Sequence, residues 1–402
     1  MNIAFKNSIH YLFAMLGLFS SAFIPIYGVG AVYITVWLIF ALLFFITCKS
    51  LSRTFFSPLW IILVLFYLLH LVGMIYTENI KSGWFDIEVK LSIFILPVIF
   101  YFQHKSLNKQ NVKYFKWFYI LSIFGISMFL FVKALIAYNN GDVGKLYYNE
   151  LSNPYHPSYL AMYVIMALLF LFDFMVNEKQ KVLIFLYLIS LLYFLSFIFL
   201  LSSKAGILSA PIVLLPAGLH YIFKNKKFWV PFMVILFVLL FAYVGIKNND
   251  RFNAVASTLQ TAKNNAATSE SNAARWLVWQ AGLEIVKENP ICGVGTGDVK
   301  DALLGVYAKR QMLGAIEKKL NAHNQFLETA IGQGLIGLLV LILVFFIPFI
   351  KAFKEKNIIW MLFLVLVSFN FLFESMLNTQ MGVFFFAYFY SFFIFEFKLT
   401  KI

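Results

Sequence analysis

A chain that repeats a run of about twenty apolar residues twelve times has few ways to fold. The runs are Ser8 to Tyr27, Val29 to Cys48, Ser57 to Tyr76, Val89 to Phe102, Tyr114 to Ala137, Pro157 to Val176, Val182 to Leu201, Gly206 to Phe223, Trp229 to Ile246, Ile331 to Ile350, Asn357 to Met376 and Gly382 to Phe397. In a bilayer each run must close its own backbone hydrogen bonds, which a helix does. Charged residues make up 12% of the chain, where a soluble domain averages about a quarter. The expected fold is therefore all-α and polytopic, with about twelve transmembrane helices and the lipid bilayer as its first partner. The fourth run is short and carries Pro97, so it reads as a tilted, broken or re-entrant segment. The 49 phenylalanines are expected mainly on the lipid-facing surface.

Lysine and arginine set the threading, because short cytoplasmic loops keep an excess of them. Every second connection is rich in cations: Lys49 and Arg53; Lys105, Lys109, Lys113 and Lys116; Lys179 and Lys181; Lys224, Lys226 and Lys227; Lys351, Lys354 and Lys356. Both termini then lie inside. The net charge of +14 is thus mostly topology, and a nucleic-acid partner is excluded. Phe13, Phe19, Phe23 and Tyr27 leave no small-residue cleavage site in the first run, which reads as a helix and not a signal peptide. Cys48 and Cys292 fall on opposite faces and cannot pair, and no metal-ligand spacing is present.

One connection breaks the rhythm. From Lys247 to His323 the chain runs without a span, far beyond an ordinary loop, and by alternation it lies outside. Three regions follow: residues 1–246 with spans one to nine, 247–325 as an outer loop domain, and 326–402 with spans ten to twelve. Within the loop, Ser271 or Asn272 can cap a helix in which Trp276, Trp279, Leu283 and Val286 recur at helical spacing until Asn289-Pro290. Gly293, Gly295 and Gly297 make a turn, and Asp298 opens a second helix in which it and Asp301 are helix-start residues. Lys247 to Glu270, rich in Asn, Ala, Thr and Ser, reads as loose.

An ordered outer lid over a membrane bundle points to work at the outer leaflet. Arg275 sits beside Trp276 and Trp279, where it can stack on an indole or grip an anion. Lys204, where the seventh span turns into the eighth, can snorkel to headgroups or clamp a ligand. His323 stands where a polar run meets the tenth span, as a cap, a packed residue or a base. Asn324 follows it and Glu328 lies one turn on, placed to orient either residue or merely to close the turn. Gly334 and Gly337 make a small-residue face for close helix packing. The turn glycines read as a plain turn or as a nest for phosphate. His156, between prolines, reads as a loop residue or a substrate contact.

His323-Asn324, nine residues, Gly334, two residues and Gly337 resembles the signature of the O-antigen ligase and polymerase superfamily. Ser202-Ser203-Lys204-Ala205-Gly206 resembles that family's Ser-Arg-small segment. Arg275-Trp276 through Pro290 and Gly293-Val294-Gly295 resembles its Arg-aromatic helix and Pro-Gly turn, and Asn153-Pro154-Tyr155-His156-Pro157 is similar to a segment ahead of a central span. The resemblance covers roughly the second half of the chain. It implies an architecture of the GT-C glycosyltransferase type in a bacterial inner membrane, with the site facing the periplasm.

The resemblance further implies transfer of a glycan from an undecaprenyl diphosphate carrier to an acceptor hydroxyl, with inversion and without a metal or other cofactor. His323 is then the general base, while Arg275 and Lys204 stabilise the departing diphosphate. Asn324, Glu328, His156, Ser203, Trp276, Gly293 and Gly295 are the candidate substrate contacts. Lys204 stands where the family has arginine, which keeps charge but loses the planar fork. The acceptor implied is lipid A-core for a ligase, the growing glycan for a polymerase, or a protein for an oligosaccharyltransferase. A single long outer loop and twelve spans favour the ligase. A transporter or flippase would show internal repeats and ionisable residues deep in its spans, and the sequence shows neither pattern.

Overall fold

A computed structural model describes residues 3–48, 58–103, 107–224, 229–247 and 271–401. The cations Lys49, Arg53, Lys105, Lys226 and Lys227 and nearly all of the loose Lys247 to Glu270 stretch lie outside the described residues. Each of the twelve expected spans coincides with a helix. In order these are α1 (Ile3–Phe23), α2 (Gly30–Cys48), α3 (Pro58–Gly73), α4 (Ile80–Gln103) and α5 (Lys109–Asn139). A five-residue α6 (Tyr148–Ser152) precedes α7 (Pro157–Asn177), α8 (Lys181–Leu200), α9 (Lys204–Lys224) and α10 (Trp229–Lys247). The long connection after α10 supplies α11 (Ser271–Glu288), α12 (Val299–Lys309) and α13 (Leu313–Glu317), and α14 (Gln325–Lys354), α15 (Ile358–Phe371) and α16 (Gln380–Lys401) close the bundle. Among the described residues seven helices are long and apolar enough to cross a membrane, and α3, α10 and α15 include shorter apolar stretches. The protein is a multi-pass, all-α membrane protein.

The fourth span is longer than the run read from sequence and is not broken. It is a continuous helix of 24 residues that keeps Pro97 inside and begins at Ile80. The early turns escaped notice because Lys81, Asp86, Glu88 and Lys90 dilute their hydropathy. Lys90 is nonetheless buried and paired with Asp86 one turn away.

The phenylalanines also go elsewhere than expected. Helices α7 and α16 are enclosed on nearly all sides, whereas α2, α5 and α8 are mostly outward-facing. Phe385, Phe386, Phe389, Phe392, Phe393 and Phe395 of α16 are buried in the main core. Phe389 meets Tyr119 of α5 edge-on at 4.9 Å between centroids, a favoured aromatic geometry. Where lipid is as apolar as leucine, such interlocking surfaces hold helices together by packing.

The long connection after α10 folds as a lid with its own small core, in which Val278, Ala281 and Ile285 of α11 meet Leu303 and Tyr307 of α12 and Ile331 of α14. The buried stripe of α11 is thus Ala274, Val278, Ala281 and Ile285, whereas Trp276 and Leu283 of the expected stripe face out. Asp298 is not an ordinary helix-start residue. Its carboxylate accepts from the N–H groups of Glu78 and Asn79 at 2.9 and 2.7 Å, capping the approach to α4, while Asn79 Nδ2 donates to Asp301. The lid is therefore fastened to the bundle.

A second fastening lies in α14, which breaks at Gly334 (φ 63°, ψ −164°). The Pro290–Gly295 turn inserts there: Leu335 N–H donates to Pro290 O at 2.8 Å, and Val294 and Gly295 N–H donate to Ile331 and Gly332 O at 2.9 and 3.0 Å. Backbone groups freed by the break are thereby satisfied within the protein. Gly334 serves this stitch and not a helix-packing face, since a Cβ there would lie 2.1 Å from Ile291 O.

Candidate functional site

His323 is thrown clear of α14 by a tight turn. Asn324 caps the helix, its Oδ1 accepting from Leu327 N–H at 3.0 Å. His323 itself adopts φ 45°, and its N–H donates to Asn321 Oδ1 at 3.0 Å. Its ring turns Nδ1 towards Glu374 Oε2 at 3.4 Å. An ionised carboxylate only accepts, so Nδ1 carries the proton in the neutral ring and Nε2 keeps its lone pair.

Glu374 occupies the turn after α15 and is 5% exposed. Its Oε1 receives Arg275 Nη2 at 3.3 Å and the Ser158 hydroxyl at 3.2 Å. Ser203 Oγ donates to Ser158 Oγ at 3.1 Å and accepts from Gly206 N–H at 3.2 Å, so the start of α9 is wired to the same carboxylate. Burial pushes the Glu374 carboxyl up, but the His323 hydrogen bond and the charges of Arg275, His156 and His323 outweigh it and hold the group down to about 2. A fixed anion thus sits behind the imidazole.

Lys204, the first residue of α9, extends Nζ to Asn272 Oδ1 at 2.8 Å, less than one turn of α11 before Arg275. A cavity of about 190 Å³ opens between these groups, lined by His156, Ser203, Lys204, Arg275, His323 and Glu374 together with Tyr148, Ser158 and Lys318. Three cations face it with one carboxylate, and that carboxylate is already engaged by Arg275, Ser158 and His323. The arrangement suits an anionic ligand laid beside a base.

The remaining sequence-predicted contacts lie elsewhere. Asn324 spends its side-chain oxygen on the α14 cap, and Trp276 is 41% exposed away from the cavity lining. Gly293 and Gly295 belong to the turn seated in the α14 break, where the Gly295 amide is committed to Gly332 O. Glu328 does not touch His323. Its carboxylate accepts from Ala322 N–H at 2.9 Å, Ser375 Oγ at 3.2 Å and Asn378 Nδ2 at 2.7 Å. It therefore holds the residue before His323 and the residue after Glu374, which fixes the pair indirectly.

Sequence reasoning missed Glu374, Ser158 and Lys318. The signal for Glu374 was present, since it is the one carboxylate in the expected eleventh span, Asn357 to Met376, and such a residue is a candidate functional group.

Residues 188–342 match the family model described as O-antigen ligase. A 164-residue stretch is 29% identical to a protein of Haemophilus influenzae described as uncharacterised, covering 39% of this chain and 40% of that one. A 177-residue stretch is 26% identical to the O-antigen ligase of Escherichia coli, covering 43% of this chain and 42% of the relative. The matches thus span about two fifths of each curated relative. The family segment contains Ser203, Lys204, Arg275 and His323, which share the cavity. Through this segment the chain is similar to the O-antigen ligase family.

Proposed function

We propose that the protein is an O-antigen ligase of the bacterial inner membrane, with both termini cytoplasmic and the lid and cavity in the periplasm. It transfers a glycan from undecaprenyl diphosphate to a sugar hydroxyl of lipid A-core, with inversion and without a metal. The observation that carries this reading is the single cavity that gathers a carboxylate-backed imidazole with Lys204, Arg275 and Lys318.

The chemistry follows from those groups. His323 Nε2 takes the proton of the acceptor hydroxyl as its oxygen attacks the anomeric carbon, while the bond from that carbon to the diphosphate oxygen breaks. The electron pair leaves with the diphosphate, whose charge grows beside Lys204, Arg275 and Lys318 in a site of low dielectric. Glu374 balances the imidazolium that forms and holds its Nδ1–H. Arg275 has five donors, so it can keep Glu374 and still present N–H groups to phosphate.

The test is transfer in vitro with purified protein, lipid-linked glycan and lipid A-core, read by product mass. Glycan joined to lipid A-core supports the ligase. Chains that lengthen in the absence of lipid A-core make the protein a polymerase, and a well-folded protein that yields neither product overturns the transferase reading.

A further inference from the structure

A second polar cavity of about 300 Å³ lies beneath the lid, between α4 and the first half of α14, and the proposed reaction makes no use of it. Its floor is the Asp86–Lys90 pair, Lys90 being only 2% exposed. Lys90 stands roughly 15 Å along α4 from its outer end. Charges at such depth are expensive and mark function unless packing alone explains them. A pair kept only for packing would be closed over on both sides, whereas this one reaches, through an Asp86 side chain that is 20% exposed, a cavity within the size range of ligand sites.

The walls are mixed but mostly polar, and part of the amide capacity is used within the protein, Gln325 by Thr329 and Leu377 N–H and Asn378 Nδ2 by Glu328. Gln325, Gln333, Asn321, Asn378 and Thr329 supply planar amides and a hydroxyl, and the exposed ring of Phe85 forms one edge. Gln333 is held by its Nε2 bond to Thr296 at 2.9 Å, so its orientation is fixed before any ligand arrives. Fixed amides beside an aromatic face suit a hydroxyl-rich ring. Lys300 and Lys319 add two exposed cations at the rim. The two carboxylates opposite are already committed, Asp86 to Lys90 and Glu328 to Ala322, Ser375 and Asn378. Asn321, which lines this cavity, also accepts the N–H of His323, so one short loop borders both cavities.

We propose that this cavity is a saccharide subsite that takes a sugar ring bearing an anionic substituent. The proposal rests on the transferase reading for its role, though not for the binding itself. The ring belongs to the glycan of the donor or of the acceptor, and inhibition kinetics separate the two.

The test uses the full-length protein in nanodiscs and saturation-transfer NMR with D-glucuronate, D-glucose and inorganic phosphate as probes. Glucuronate is expected to bind saturably, at least tenfold more tightly than glucose, and at least tenfold more weakly to the Lys300→Ala/Lys319→Ala double variant, whose changes are at exposed positions. Equal binding of glucuronate and glucose, an unaffected double variant, or equal competition by phosphate would each overturn the subsite. In an enzyme that transfers normally, glucuronate should inhibit competitively against either the acceptor or the donor. Inhibition competitive with neither overturns the substrate assignment. A protein that binds glucuronate as described yet transfers nothing removes the transferase reading and leaves the binding site standing.

Discussion

His323 Nδ1 stands 3.4 Å from Glu374 Oε2 although the two residues lie 51 positions apart. The pairing selects the tautomer in which Nε2 is free to act as a base, so removing the ring removes the proton acceptor. His323→Ala should lower the transfer rate by about 10²–10⁴ at unchanged expression and unfolding midpoint. Because Asn324 caps α14 on its own, the helix should not need the ring. Transfer at the normal rate by a folded His323→Ala protein takes the residue out of the mechanism.

Glu374 carries a separate prediction in pH. Its carboxyl has an ordinary value of 4.5 and is held at about 2 in the fold. A depressed carboxyl stabilises the folded protein above the ordinary value, and that contribution is lost as pH falls from about 4.5 towards about 2. The shift corresponds to about 3 kcal/mol. The unfolding midpoint of wild type should therefore drop over this window. Glu374→Gln, which keeps an acceptor for Ser158 but has no charge to titrate, should start lower at neutral pH and lose less. Parallel acid profiles for the two proteins would show that the carboxylate is not held down by its neighbours.

The two cations should answer differently to conservative change. Lys204→Arg should retain transfer, and Lys204→Ala should lose about 10²–10³ in rate, because charge against the diphosphate is its proposed contribution. Arg275→Lys should be hurt despite equal charge. One ammonium cannot hold the Glu374 carboxylate and a phosphate with the fork geometry of a guanidinium. Steady-state rates with lipid-linked donor decide both, and a fully active Arg275→Lys protein reduces the arginine to a packing role.

The places where sequence succeeded and failed have physical causes. The twelve helices were legible because a bilayer forces each apolar run to satisfy its own backbone. The start of α4 was not, because Asp86 and Lys90 face a cavity inside the bundle while Lys81 and Glu88 are exposed, and all four charges dilute the hydropathy of the early turns. Lys204, Arg275 and His323 each sit in a local motif, so they were found one by one. Glu374 was not, because its meaning comes from partners up to 216 positions away. The turn glycines were legible as a turn, but only the fold reveals that the α14 break receives them.

That break gives the last prediction. Gly334 holds φ 63° and ψ −164°, a region open essentially to glycine, and an added Cβ would meet Ile291 O at 2.1 Å and Cys292 N at 2.7 Å. Both contacts are backbone, so no side chain can rotate away to relieve them. Gly334→Ala should therefore push the Pro290–Gly295 turn out of α14, at a cost of about 1–3 kcal/mol from the backbone conformation alone. The stitch also fixes the lid, which carries Arg275 and Asn272 over the cavity. Transfer should fall together with the unfolding midpoint, and protease cleavage within α11 or α12 should rise while the membrane helices stay protected. Gly305, on the outer face of α12 with open space around it, provides the control: Gly305→Ala should leave transfer and protection from protease unchanged and should not lower the unfolding midpoint. If Gly334→Ala matches that control in protection and activity, the turn is not what secures the lid.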